Sequence, residues 1–104
     1  MRMRCLAVLV AAAGLSSLAC AQDARALQVQ SLAATCANCH GTNGRAVDGA
    51  SVPGLAGMPA AYIVEQMKAF KAGTRPATVM HQLAKGYSDA QIDTIAGYFA
   101  AQKR

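Results

Sequence analysis

The stretch Cys36-Ala37-Asn38-Cys39-His40 decides the fold of this chain. Two thiols lie two residues apart, and a histidine follows the second thiol directly. Cys-x-x-Cys-His is the attachment pattern of a c-type haem, because this spacing lets both sulfurs reach the vinyl groups on one porphyrin edge. The thiols add to the vinyls as thioethers, and the neutral imidazole of His40 then ligates the iron from one face.

Two other interpretations of the Cys-x-x-Cys pair lack the sequence context that they need. A thioredoxin-like redox pair requires a strand and a helix around it, and no apolar β-branched run precedes Cys36. A structural zinc site requires a second pair of ligands, and beyond the pentapeptide residues 22–104 offer only His81.

Residues 1–21 are predicted to be a secretory signal peptide. Arg2 and Arg4 form a basic start, residues 6–15 are apolar, and Ala19-Cys20-Ala21 is a small-residue cleavage site, so we expect export to the periplasm with cleavage after Ala21. The apolar run is too short for a transmembrane span. The alternative is lipidation of Cys20, which would anchor the protein to a membrane.

The remaining residues, 22–104, are expected to form one small domain. Their two cysteines are both used by the haem motif, so no disulfide framework is expected. The net charge of this part is only +3, without a lysine or arginine run and with few aromatic residues, so nucleic-acid binding is not expected. A hydrophobic core of this size needs additional stabilisation, which a covalently held porphyrin provides.

The periodicity of apolar residues predicts an all-α fold without strands. The first helix is expected over residues 23–36, capped by Asp23, with Val29, Leu32 and Cys36 on one face. Residues 41–57 are rich in glycine and predict a loop. Further helices are expected over residues 59–73 and 89–102, with a short turn over residues 78–84 between them. No internal repeat is visible, so a single haem is expected.

The order of these elements resembles a class I c-type cytochrome, with helices packed around one covalent haem. The likeness includes Leu55-Ala56-Gly57 and the later residues Tyr62, Gln66, Phe70, Gly73 and Arg75. The runs Arg75-Pro76-Ala77-Thr78-Val79-Met80 and Ala84-Lys85-Gly86-Tyr87-Ser88-Asp89 are most similar to the cytochrome subunit of flavocytochrome c sulfide dehydrogenase. Two residues depart from that pattern: Met58 stands where glutamine is common, and His81 where a small or acidic residue is usual.

The second iron ligand has four candidates in the sequence: Met58, Met67, Met80 and His81. Met67 fits the regular apolar stripe of a helix, whereas Met80 lies in a segment bounded by glycine and proline that is free to direct its thioether. The resemblance also implies Met80. We interpret His81 as a solvated residue near the haem edge.

Three further residues enter the predicted site through the same resemblance. It implies that the carbonyl of Pro53 accepts a hydrogen bond from the unligated nitrogen of His40. Tyr62 and Arg75 are candidates for hydrogen bonds to a haem propionate, with ordinary surface residues as the alternative interpretation.

Two strong axial ligands leave the iron without an open position, which predicts electron transfer and not catalysis. The resemblance implies a partner, a flavoprotein that oxidises sulfide and passes electrons to this haem. One alternative is a free soluble carrier to an oxidase or another terminal enzyme. A different class, gas-binding or peroxidase-type haem proteins, requires an open or displaceable iron position.

Overall fold

The computed structural model describes the backbone of residues 2–104 and the side chains of residues 20–104. Most of the predicted signal peptide, including its basic start and apolar run, lies outside the described side chains, and its cleavage stays a prediction. Within residues 2–104 there are four α-helices, a short 3₁₀ turn over Thr42–Gly44 and no β-strand. The helices are α1 (Arg2–His40), α2 (Ala60–Ala72), α3 (Met80–Lys85) and α4 (Asp89–Ala100). The prediction of an all-α fold is confirmed.

Helix α1 differs from its prediction at both ends. Asp23 does not cap its beginning but lies in its interior, because alanine and leucine favour the helix on both sides of it. The helix ends at His40, before Gly41 with φ of 87°. The apolar face is also displaced: Ala33 is 2% exposed and is the α1 residue deepest in the core, whereas Val29 and Leu32 are only partly buried. A small residue there lets α1 approach α4 closely.

Helices α2 and α4 follow their predicted stripes. Ile63, Met67 and Phe70 of α2 are buried, and Gly73 ends the helix in the left-handed conformation with φ of 77°. Pro59 lies one position before the helix and not at its first position, because its ψ of 130° is extended. Helix α4 begins with the predicted capping box, in which the Ser88 hydroxyl accepts from the backbone N–H of Gln91. Its buried residues are Ile92, Ile95, Ala96 and Phe99.

The loop over residues 41–57 closes on itself and on α4. The carbonyl of Gly44 accepts hydrogen bonds from the backbone N–H groups of Leu55, at 2.7 Å, and Ala56, at 3.1 Å. The N–H of Gly57 donates to the carbonyl of Phe99 at 2.9 Å. These bonds hold the segment that carries Pro53 between the end of α1 and the core.

Candidate haem-binding site

One cavity of about 500 Å³ lies between the end of α1, the glycine-rich loop, α2 and α3. Much of its wall is apolar and includes Leu55, Ile63 and Phe70. The structure places all seven sequence-predicted site residues on this wall: Cys36, Cys39, His40, Pro53, Tyr62, Arg75 and Met80. Residues from four parts of the chain therefore converge on one apolar space.

His40 is the best-defined polar group of the cavity. It is only 9% exposed, and its Nδ1 lies 2.6 Å from the carbonyl oxygen of Pro53. A carbonyl oxygen only accepts hydrogen bonds, so Nδ1 is the donor and Nε2 is the ring nitrogen that remains for a metal. This is how a metal-ligating histidine is commonly oriented, with its second nitrogen available to the metal. The imidazole therefore fits an iron ligand.

The two cysteines lie on the last turns of α1, three positions apart and hence on the same side of the helix. Both are free thiols. Burial raises the pKa of the Cys36 thiol, whose Sγ lies 3.9 Å from the Thr35 hydroxyl. Two free thiols beside an oriented imidazole are the set of groups that covalent haem attachment requires.

The zinc interpretation finds no support among residues 20–104. In that part of the chain no three histidine, cysteine, aspartate or glutamate side chains come together where they would hold a metal ion. The thioredoxin interpretation lacks its strand in the described backbone.

Three methionines line the cavity: Met58, Met67 and Met80. Met67 is 7% exposed and belongs to the core cluster, as its periodicity predicts. Met58 and Met80 are partly buried at the edge of that core. Met80 is the first residue of α3, a helix of six residues, so its side chain leaves the backbone at a helix end.

His81 does not line the cavity. The prediction that it is solvated is wrong for one atom of its ring. Its Nδ1 is buried and has no hydrogen-bond partner among the described residues. This burial accompanies the packing of α3 against α2.

Arg75 and Tyr62 stand at the opening of the cavity. The Arg75 guanidinium carbon lies 4.6 Å from the centroid of the Phe70 ring, and its Nη1 donates to Oε1 of Gln66. A cation over an aromatic face is stabilised by the ring quadrupole, so Arg75 is held beside the opening. Tyr62 is 46% exposed, with its ring on the cavity wall.

Sequence analysis missed Tyr87 and Thr35 as members of the site. Both line the cavity, and the Tyr87 hydroxyl lies 2.7 Å from Oγ1 of Thr35. They are 52 positions apart, and no local motif connects them. Only the packing of the loop before α4 against α1 brings them together.

An all-α domain with two thiols and an oriented imidazole on the wall of an apolar cavity defines a haem protein of the c type. The comparison with protein families agrees: the family model described as cytochrome c matches residues 27–103. The chain belongs to the cytochrome c family.

Several curated proteins and solved structures are similar to the chain. It is 39% identical over 71 residues to the thiosulfate dehydrogenase electron acceptor of Thiomonas intermedia, which covers 68% of this chain and 33% of that protein. It is 41% identical over 68 residues to the cytochrome subunit of sulfide dehydrogenase of Chlorobaculum tepidum, covering 65% and 60%. The solved cytochrome c4 of Acidithiobacillus ferrooxidans matches with a TM-score of 0.60 and 38% identity, covering 64% and 37%. The chain thus spans less than two thirds of the length of each of these proteins.

Family membership establishes the class of the protein. It confirms the resemblance to c-type cytochromes, with covalently bound haem c as the cofactor and electron transfer as the class of function. In the described part of the chain, no helix combines the length and the apolar character that crossing a membrane requires.

Proposed function

We propose that this protein is a periplasmic cytochrome with one haem, which accepts electrons from a flavoprotein that oxidises sulfide. The observation that carries the proposal is the 41% identity to a cytochrome subunit of sulfide dehydrogenase, in a chain that has a complete attachment site on its cavity. The haem supplies an iron that gains and loses single electrons. The sequence contains one Cys-x-x-Cys-His, which supports a single haem.

The cavity offers residues that would hold the haem. Cys36 and Cys39 would tether it, and His40, oriented by the Pro53 carbonyl, would be the first iron ligand. Met80 would be the second iron ligand, as the resemblance to class I cytochromes implies, and it lies on the cavity wall at a helix end. Met67 is packed in the core, and Met58, which also lines the wall, is the alternative. A methionine opposite a histidine raises the reduction potential, which suits an electron acceptor.

Haem propionates would carry negative charge, and the cavity opening offers partners for them. The Arg75 guanidinium has donors beyond the one given to Gln66, and the Tyr62 hydroxyl is close to solvent at the same opening. We assign both to the propionates. A fixed cation at this position favours the ionised carboxylates.

The docking face for the electron donor surrounds the Met80 segment. Val79 and Leu83 flank Met80 on the cavity wall, so this apolar segment lies beside the haem site. The exposed cations Arg75 and Lys85 belong to the same part of the chain, and apolar contact centres with charged rims are common at protein interfaces. The partner is therefore expected to present an apolar centre with an acidic rim.

A second candidate function is that of a free carrier. The similarity to a thiosulfate dehydrogenase electron acceptor favours it. The same cavity and docking face serve this function, but the electrons then come from a thiosulfate-oxidising enzyme, and the protein dissociates after each transfer.

Reduction kinetics distinguish the two functions. The oxidised protein is mixed with a sulfide-oxidising flavoprotein and sulfide, or with a thiosulfate dehydrogenase and thiosulfate, and the appearance of ferrous haem is followed by stopped flow. We expect the flavoprotein to reduce it faster than it reduces an unrelated small cytochrome, and to co-elute with it from a sizing column. Faster reduction by the thiosulfate enzyme, without a stable complex, establishes the carrier and refutes the subunit.

A further inference from the structure

Tyr87 is held at both of its ends by different helices. Its carbonyl accepts a hydrogen bond from the Lys71 Nζ of α2 at 2.6 Å. The same ammonium lies 3.2 Å from a carboxylate oxygen of Asp89, the first residue of α4. Its side chain reaches across the cavity wall to α1, where the hydroxyl meets Thr35 Oγ1. Tyr87 therefore connects the loop between α3 and α4 to both α2 and α1.

The direction of the bond to α1 follows from counting protons. A threonine hydroxyl has one proton, and Thr35 donates its proton to the carbonyl of Leu32 at 2.8 Å. The Tyr87 hydroxyl must therefore be the donor to Thr35 Oγ1, at 2.7 Å. Neither a valine at position 35 nor a phenylalanine at position 87 can replace this bond, whereas a serine at position 35 keeps it.

The two ends of this bond stand next to the two sides of the haem site. Thr35 directly precedes Cys36, which holds the porphyrin edge. Tyr87 follows the last residue of α3, Lys85, by two positions, and α3 begins with Met80. Because α3 has only six residues, moving Met80 away from the cavity displaces the whole helix and the loop behind it. The Tyr87 hydroxyl bond opposes that displacement.

We propose that Tyr87 is a positioning residue, which keeps Met80 at the iron by connecting the end of α3 to the haem-attachment turn of α1. This inference rests on the proposed ligation of the iron by Met80. Breaking the bond leaves the ligand in place but makes the state with Met80 withdrawn more populated. An added ligand such as imidazole binds only to that state, so its apparent affinity measures the population.

The test is imidazole binding to the ferric holoprotein, followed through loss of the near-infrared band of methionine-ligated haem. Loss of a hydrogen bond that contributes about 1 kcal/mol predicts about fivefold tighter imidazole binding in Tyr87→Phe. Thr35→Val should have the same effect, the double variant no more than either single one, and Thr35→Ser should bind as the wild type does.

A matched control separates positioning from a general loss of stability. The hydroxyl of Tyr98 donates to Asn43 Oδ1, also at 2.7 Å, and neither residue lines the cavity. Tyr98→Phe therefore loses an equal bond elsewhere, and its imidazole affinity should stay at the wild-type value. Unchanged affinity in Tyr87→Phe, additive effects in the double variant, or an equal gain in Tyr98→Phe would overturn the inference. A wild-type protein without the near-infrared band would instead refute ligation by Met80.

Discussion

Replacing Gly44 by alanine should destabilise the protein strongly, because the substitution would cause both backbone strain and steric clashes. Its φ of 76° lies in the left-handed region, where a residue with a Cβ costs about 1–2 kcal/mol. A Cβ there would also lie 2.7 Å from Cδ1 of Phe99 and 2.9 Å from the backbone nitrogen of Ala56. Phe99 is 1% exposed and the Ala56 nitrogen belongs to the backbone, so overpacking adds about 1–3 kcal/mol.

Gly49 offers a control that isolates the steric part. Its φ is 77°, and a Cβ there would meet nothing within 4 Å, so Gly49→Ala carries only the backbone cost. Guanidinium chloride unfolding of the two holoproteins, followed by far-ultraviolet circular dichroism, should give Gly44→Ala a loss larger by about 1–3 kcal/mol. Equal losses of unfolding free energy in the two variants would refute the argument. They would mean that a Cβ at position 44 meets no costly contact with Phe99 or Ala56.

Three further outcomes test the ligand, the docking face and the processing of the chain. Met80→Ala should abolish the near-infrared band, admit carbon monoxide to the ferrous form and lower the reduction potential, whereas Met58→Ala should keep the band; the opposite pattern would reassign the ligand. Lys85→Glu should slow reduction by the partner and weaken the salt dependence of that rate without changing the haem spectrum. The reason is that a charge at the rim of an interface acts mainly on the association rate. An unchanged rate would exclude Lys85 from the docking face. N-terminal sequencing of the exported protein should begin at Gln22, and a diacylated Cys20 at the terminus would show a lipid anchor instead.

The helices were predictable where a local interaction decides them. Helix α4 begins with the capping box of Ser88 and Gln91, and helix α2 ends at the left-handed Gly73. Both features involve groups within one helical turn, so the local sequence predicts these helix ends. The beginning predicted at Asp23 for the chain cleaved after Ala21 stays a prediction, because in the full chain the backbone continues as helix on both sides of Asp23. The apolar face of α1 was displaced for a different reason, since the close approach of α4 selects the small Ala33.

By itself the sequence determined the attachment of the haem. Cys36, Cys39 and His40 lie within little more than one helical turn, so their spacing alone lets both thiols reach one porphyrin edge while the imidazole reaches the iron. The partners of that motif were decided by tertiary structure, because they are distant in the chain. The Pro53 carbonyl beside His40 was expected only through a resemblance, and the contact of Tyr87 with Thr35 was not expected at all. Packing of α2, α3 and the glycine-rich loop brings these groups to one cavity, and no local periodicity encodes which distant residues meet there.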